Sequence, residues 1–232
     1  SGNPITLGGN VTNDSVNTQT IDLNMVLSAT RTFHAAAGDL VIGGALSNSG
    51  GLTKTGNNTL SLAANNSFTG PVTIAAGTLQ LGNGGTTGSL STASSITNQG
   101  TLAFNRSNTI TQGTDFASVI AGAGGISKLN TNTLVLTGIN TFTGPTAVNA
   151  GTLQAGAAAG GQAFGNLSAV TVSSGAVLAL NGFSQTIGSL AGNGTVSLGT
   201  GGATLTFGGT NASTVYGGVI NGTGNVTKVG TG

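Results

Sequence analysis

The amino-acid sequence predicts an all-β solenoid, in which short parallel strands stack coil on coil around one apolar interior. Three observations lead there. Apolar residues recur in short runs with a period of two, and these runs return at spacings of 18–23 residues. Two long stretches, 50–82 and 124–156, also agree at 18 of 33 positions.

The runs can be taken in order. The first forty residues carry the least specific pattern. Clear alternation begins at Leu60-Ser61-Leu62 and continues at Val72-Thr73-Ile74, Leu79-Gln80-Leu81, Leu102-Ala103-Phe104 and Leu134-Val135-Leu136. It resumes at Val170-Thr171-Val172, Leu178-Ala179-Leu180, Val196-Ser197-Leu198 and Leu205-Thr206-Phe207. On a strand, alternation sends one row of side chains inward and the other outward. Gly, Asn and Ser punctuate the runs, and Gly supplies the positive φ that tight corners need. No stretch keeps helical spacing beyond a turn or two, and Ala155 to Ala163 reads as a loop.

A single strand of this kind cannot bury its apolar row alone, whereas stacked coils can. Stacking also explains the composition. Only 4% of the 232 residues are charged, against about 25% in an ordinary soluble domain. Equivalent positions on successive coils lie about 4.8 Å apart, so repeated like charges would repel, while Thr, Ser and Asn exchange hydrogen bonds. With 37% apolar residues the chain is not of the disordered type, which combines low hydrophobicity with high net charge. Like is expected to sit upon like, which makes residues 50–82 and 124–156 two copies of one stack. A truncated third copy starts within 219–232, where "GNVTKVGTG" matches both openings and places Lys54, Lys128 and Lys228 in equivalent positions.

Composition also excludes functions. A net charge of +1 from five scattered cations provides no basic stripe for nucleic acid. The apolar runs fall far short of the about 20 residues of a membrane span, so no direct membrane insertion is expected. Ser1-Gly2 reads as a cut end rather than a leader. With no cysteine, disulfides and thiolate metal sites are unavailable.

Catalysis has little to work with. Glycoside hydrolysis needs two facing carboxylates, and the chain offers only Asp14, Asp22, Asp39 and Asp115, with no Glu. Asp22 and Asp39 lie 17 residues apart, near one coil, and are expected at corners on a solvated face. A Ser-His-Asp triad would have to use His34, the single histidine, which reads as a surface or half-buried residue. The Gly-rich "LGNGGTTGS" from Leu81 lacks the P-loop Lys-Ser/Thr ending, and the repeated Asp of calcium-binding β-rolls is missing. The expectation is therefore no enzyme, and no catalytic, cofactor-binding or metal-binding residue.

Four recurring features are weighed against a binding role. The repeated lysines are expected to lay their stems along the surface and solvate their heads. Phe68 and Phe142 are expected to cap the apolar interior. Thr53/Thr55, Thr109/Thr111 and Thr141/Thr143 do not recur as one pair per coil. The Asn-x-Ser/Thr triplets at Asn10, Asn166 and Asn211 arise by chance in an Asn/Thr-rich chain.

The pattern G-G-[LI]-[ST]-K-x-x-x-N-T-L-x-L, then N-x-F-T-G-P, then A-G-T-L-Q, resembles the autotransporter-associated β-strand repeat. The match is full at 50–82 and 124–156 and partial at 219–232. The resemblance implies a right-handed parallel β-helix (β-solenoid), secretion, and display on a bacterial cell surface. Residues 1–232 are accordingly expected to form one β-helix of roughly 10–12 coils, about 50 Å long at one strand spacing per coil. The expected function is a structural segment of a secreted surface fibre or passenger. The alternative is an adhesin that binds host or matrix glycans through its irregular loops, Gly82 to Ser94 and Gly156 to Asn166; a β-helical carbohydrate-active enzyme ranks third. The sequence ends inside a repeat unit, so its partner is expected to be a longer parent chain or a second copy stacked end to end into a filament.

Overall fold

A computed structural model describes residues 3–117, 119–156 and 162–232. The described residues contain no helix and form 27 short strands, each paired in parallel. Three strands make one turn, and about ten turns stack into a single solenoid. A nine-stranded sheet runs along most of one face. Its inward column reads Leu40, Leu60, Leu79, Leu102, Ile126, Thr146, Val170, Leu190. Successive members are 19–24 residues apart, one per turn. The first forty residues belong to the same stack, with Val11–Asn13 pairing Arg31–Ala35 and Gln19–Ile21 pairing Leu40–Ile42.

The alternation read from the sequence has the right phase. Leu79 and Leu153 are both fully buried, as are Phe68 and Phe142. Phe104 and Phe116 fill one wide turn, their ring centroids 5.0 Å apart.

One expectation is corrected. The two copies do not sit above one another on the same faces. Leu52–Thr55 of the first copy lies in a six-stranded sheet, followed turn by turn by Val72–Ile74, Ile96–Asn98 and Ile120–Ala121. The equivalent strand of the second copy, Gly125–Lys128, comes one face later, in the nine-stranded sheet. Leu153 therefore stands in a second six-stranded sheet, between Leu134 and Leu178, and not in the column of Leu79. The copies are separated by three turns and one face. What must match along a column is an inward apolar residue, not the same repeat position.

The glycines of the repeat mark the tightest backbone contacts. A Cβ on Gly70 would lie 2.4 Å from the carbonyl carbon of Gly50, and one on Gly144 would lie 2.4 Å from that of Gly124. The opening Gly-Gly of each copy and its later Thr-Gly-Pro are thus two halves of one corner, pressed together. Beside it, Leu52 and Ile126 donate their backbone N–H to the carbonyls of Pro71 and Pro145, at 2.8 and 2.9 Å.

Candidate functional site

The repeated lysines point into the solenoid. In Leu52-Thr53-Lys54 the period of two gives Lys54 the inward slot, and Lys128 holds the same slot after Ile126. Both are fully buried, which overturns the expectation of solvated heads. Lys54 Nζ donates to the carbonyls of Thr55 and Gly56 (2.8 Å each) and, one turn on, of Ala76 (3.1 Å). Lys128 Nζ donates to the carbonyls of Asn130 and, one turn on, Ala150. Each ammonium closes an inner corner and ties two turns together. Lys228 makes the first two of these contacts, to Val229 and Gly230, at an exposed position.

Burial lowers both Lys54 and Lys128 from the usual 10.5 to about 8, with Asp39 opposing the shift at Lys54. Between these values the unfolded chain carries protons that the folded chain does not, so stability rises with pH in that window. Burial raises the Tyr216 hydroxyl, which lowers stability as pH passes its unfolded value of about 10. The midpoint of thermal unfolding is therefore expected to climb from about pH 8 to about 9.5, and to climb less in Lys54→Met/Lys128→Met. A fall over that range that the double substitution removes would show that the carbonyl contacts outweigh burial.

Buried asparagines make a second set of links, which the sequence reading did not single out. Asn66 and Asn140 open the two Asn-x-Phe-Thr-Gly-Pro stretches, and each bridges three turns. Asn66 Oδ1 accepts the N–H of Leu46, and its Nδ2 donates to the carbonyls of Ala64 and Ser89. Asn140 Oδ1 accepts from Ile120 N and Gln112 Nε2, and its Nδ2 donates to Gln112 Oε1 and the Ala163 carbonyl.

The candidate catalytic groups are dispersed. Asp14 is exposed. Asp22 lies over Gly43, while Asp39 accepts the N–H of Thr59 at 2.8 Å. Because Ile21 pairs with Ile42 and Gln19 with Leu40, Asp22 and Asp39 flank opposite ends of one strand pair and do not stack. Asp115 binds Arg106 at 3.0 Å and accepts the N–H of Thr111. Arg106 is itself buried, so this pair fastens a wide turn. His34 is half-buried, its Nδ1 2.8 Å from Thr55 Oγ1. One outward column stacks Thr32, Thr53, Thr73 and Thr97, but its neighbour runs Thr12, His34, Thr55, which breaks the threonine pairing. No cluster of three or more metal-ligating side chains forms among the described residues.

The expected recognition loops fare differently. Gly82 to Ser94 is tied down: Gly84 donates to Asn105, Leu90 to Asp115, and Ser94 Oγ to Phe68. Within Gly156 to Asn166, residues 157–161 lie outside the described residues. The remainder borders a cleft of about 320 Å³ lined by Gln162, Asn166, Ser184, Gln185, Thr186, Thr204 and Thr206. These residues come from three successive turns. Ser184 Oγ accepts the N–H of Thr204 at 2.9 Å, and Thr186 stacks on Thr206. The lining is neutral throughout, made of hydroxyls and amides.

The chain matches the family model of the passenger-associated-transport-repeat at residues 52–81 and 126–155. It is 38% identical over 200 residues to an adhesin autotransporter, BmaC, of Brucella suis biovar 1 (strain 1330), an alignment covering 72% of this chain and 6% of that protein. The chain thus spans a small part of the length of that relative. No solved structure matches it.

Proposed function

The chain is an autotransporter passenger repeat protein, and from that premise we propose that it is a structural segment of a bacterial cell-surface passenger, displayed outside the cell. The observation that carries this reading is the continuous apolar interior, with Lys54, Lys128, Asn66 and Asn140 locking neighbouring turns inside a nearly uncharged exterior. Lys54, Lys128 and Asn66 spend their polar atoms on backbone groups of their own and neighbouring turns, and Asn140 divides its own between the backbone and the Gln112 amide. Antibody raised against the chain is expected to label intact, unpermeabilised cells; labelling only after lysis would refute display.

A finer part of the reading concerns assembly. Every described strand pairs in parallel with strands of adjacent turns, and the same ladder can form between the turns of two copies. The isolated 232-residue chain is expected to lengthen end to end with concentration under the electron microscope, with rungs continuing at about 4.8 Å across each junction. Monodisperse single rods at all concentrations would exclude stacking of copies.

The second reading, adhesion, is favoured by the similarity to the Brucella adhesin autotransporter and by the neutral cleft. A neutral exterior also predicts that the chain passes through heparin unretained at 0.15 M salt, a concentration at which the screening length is about 8 Å. Retention there would point to an acidic ligand.

A further inference from the structure

The cleft is connected to the interior by a line of amide contacts. Gln112 and Asn140 bond each other twice, at 2.7 and 3.1 Å. Asn140 Nδ2 donates to the Ala163 carbonyl at 2.8 Å, and the Ala163 N–H donates to Gln185 Oε1 at 2.9 Å. That last contact fixes the orientation of the Gln185 amide, because a backbone N–H requires an acceptor. The Nε2 is left as the free end of the line. Gln185 is 1% exposed, it lines the cleft, and its Nε2 has no acceptor among the described residues. A buried donor without a partner is unfavourable, so the site is short of one hydrogen-bond acceptor.

We infer that this cleft binds a neutral saccharide, with Gln185 Nε2 donating to a ring hydroxyl or to the carbonyl of an N-acetyl group. The inference rests on the adhesion reading and adds its site and ligand class. The rest of the lining suits such a ligand. Ser184, Thr186, Thr204 and Thr206 offer hydroxyls that both donate and accept, and Gln162 and Asn166 offer amides. No lining residue carries a charge, so an acidic sugar finds no cation to replace its lost hydration. A volume of about 320 Å³ is at the lower end for ligand sites, which run from about 300 to 1,000 Å³; this suits one or two sugar units. Without an aromatic platform in the lining, affinity for a single unit is expected near the millimolar level, about 1 mM, and useful attachment would come from many weak contacts along a surface.

The test uses the full 232-residue chain. Saturation-transfer NMR with methyl glucoside, methyl galactoside, N-acetylglucosamine and sialic acid asks which class binds. Thr186→Val/Thr206→Val removes two hydroxyls from the outward face while leaving the interior untouched, and Gln185→Leu removes the buried donor. Transfer to at least one neutral sugar and none to sialic acid is expected, with binding weakened about tenfold in the threonine variant, the scale of losing one or two hydrogen bonds. The threonine variant should keep the parent thermal midpoint, so a loss of binding there cannot be attributed to unfolding. No transfer from any neutral sugar at 20-fold the expected dissociation constant, about 20 mM, would overturn the proposal. So would binding that both variants leave unchanged, a preference for sialic acid, or a crystal structure in which one ordered water satisfies Gln185 Nε2 and sugars do not displace it. Failure here leaves antibody labelling of intact cells as a separate test of surface display. If the chain instead binds a glycan array with the cleft variants unaffected, adhesion stands and this site falls.

Discussion

Leu153→Asp is expected to lower the thermal midpoint more than any other single substitution considered. Leu153 has no exposed surface and stacks between Leu134 and Leu178 in an inward column. A carboxylate there would stand in the inward row between the Leu134 and Leu178 side chains, where it loses the hydration that stabilises its charge. The expected loss is about 4 kcal/mol or more, in the range reached by burying an unpaired charge. Leu153→Met keeps the volume and is expected to cost less than about 1.5 kcal/mol. Because each turn of a solenoid contacts only its neighbours, unfolding should begin around this turn and show as a broadened transition by circular dichroism. An unchanged midpoint for the aspartate variant would mean that Leu153 does not face inward.

Gly144→Ala comes second. The new methyl would meet the carbonyl carbon of Gly124 at 2.4 Å and the carbonyl oxygen of Ala123 at 2.5 Å. Both are backbone atoms of the preceding turn, held by the ladder bonds on either side, so neither can move aside as a side-chain tip would. Separating the two turns locally would stretch those bonds, including Ile126 N to the Pro145 carbonyl at 2.9 Å. The expected cost is about 3 kcal/mol, the upper part of the range for overpacking. Gly70→Ala meets the same obstacle at the corner of Gly50 and should behave alike. Gly85→Ala is the control, since a Cβ there meets nothing within 4 Å; it should be neutral or slightly stabilising, by up to about 1 kcal/mol, through restriction of the unfolded chain. Equal midpoints for Gly144→Ala and Gly85→Ala would show that the corner is looser than its geometry implies.

The sequence made the strand phase legible because alternation is a local signal, and Leu79 and Leu153 obey it, while the turn residues Phe68 and Phe142 are buried against the apolar interior as expected. The same period of two, carried through Leu52-Thr53-Lys54, gives Lys54 an inward slot, but the sequence reading places it on the surface because an ammonium in an apolar row conflicts with the general preference of lysine for water. The conflict is resolved by the corner carbonyls of Gly56 and Ala76, one of them a turn away and therefore out of reach of local reading. Asn66 and Asn140 were hidden for a similar reason. Asparagine beside a turn ordinarily serves its own loop, whereas these two serve turns on both sides. Of the cleft, only the Gln162 and Asn166 edge falls in a loop marked as irregular. Ser184, Thr186, Thr204 and Thr206 look like ordinary outward strand residues until the register stacks them.

The offset of three turns and one face between the two copies has a genetic meaning. A duplicated segment need not span a whole number of revolutions to be accommodated, because all three sides of the prism accept the same alternating strand. The unit of tolerated insertion or deletion is then a side, not a revolution. Recombination within such a gene could change the length of its product in small steps and still leave every new strand a partner. Each addition of one side would also rotate everything downstream by about a third of a revolution, as three strands complete a turn. Lengthening would thereby redirect the surface that a distal segment presents, without altering a single residue of that segment.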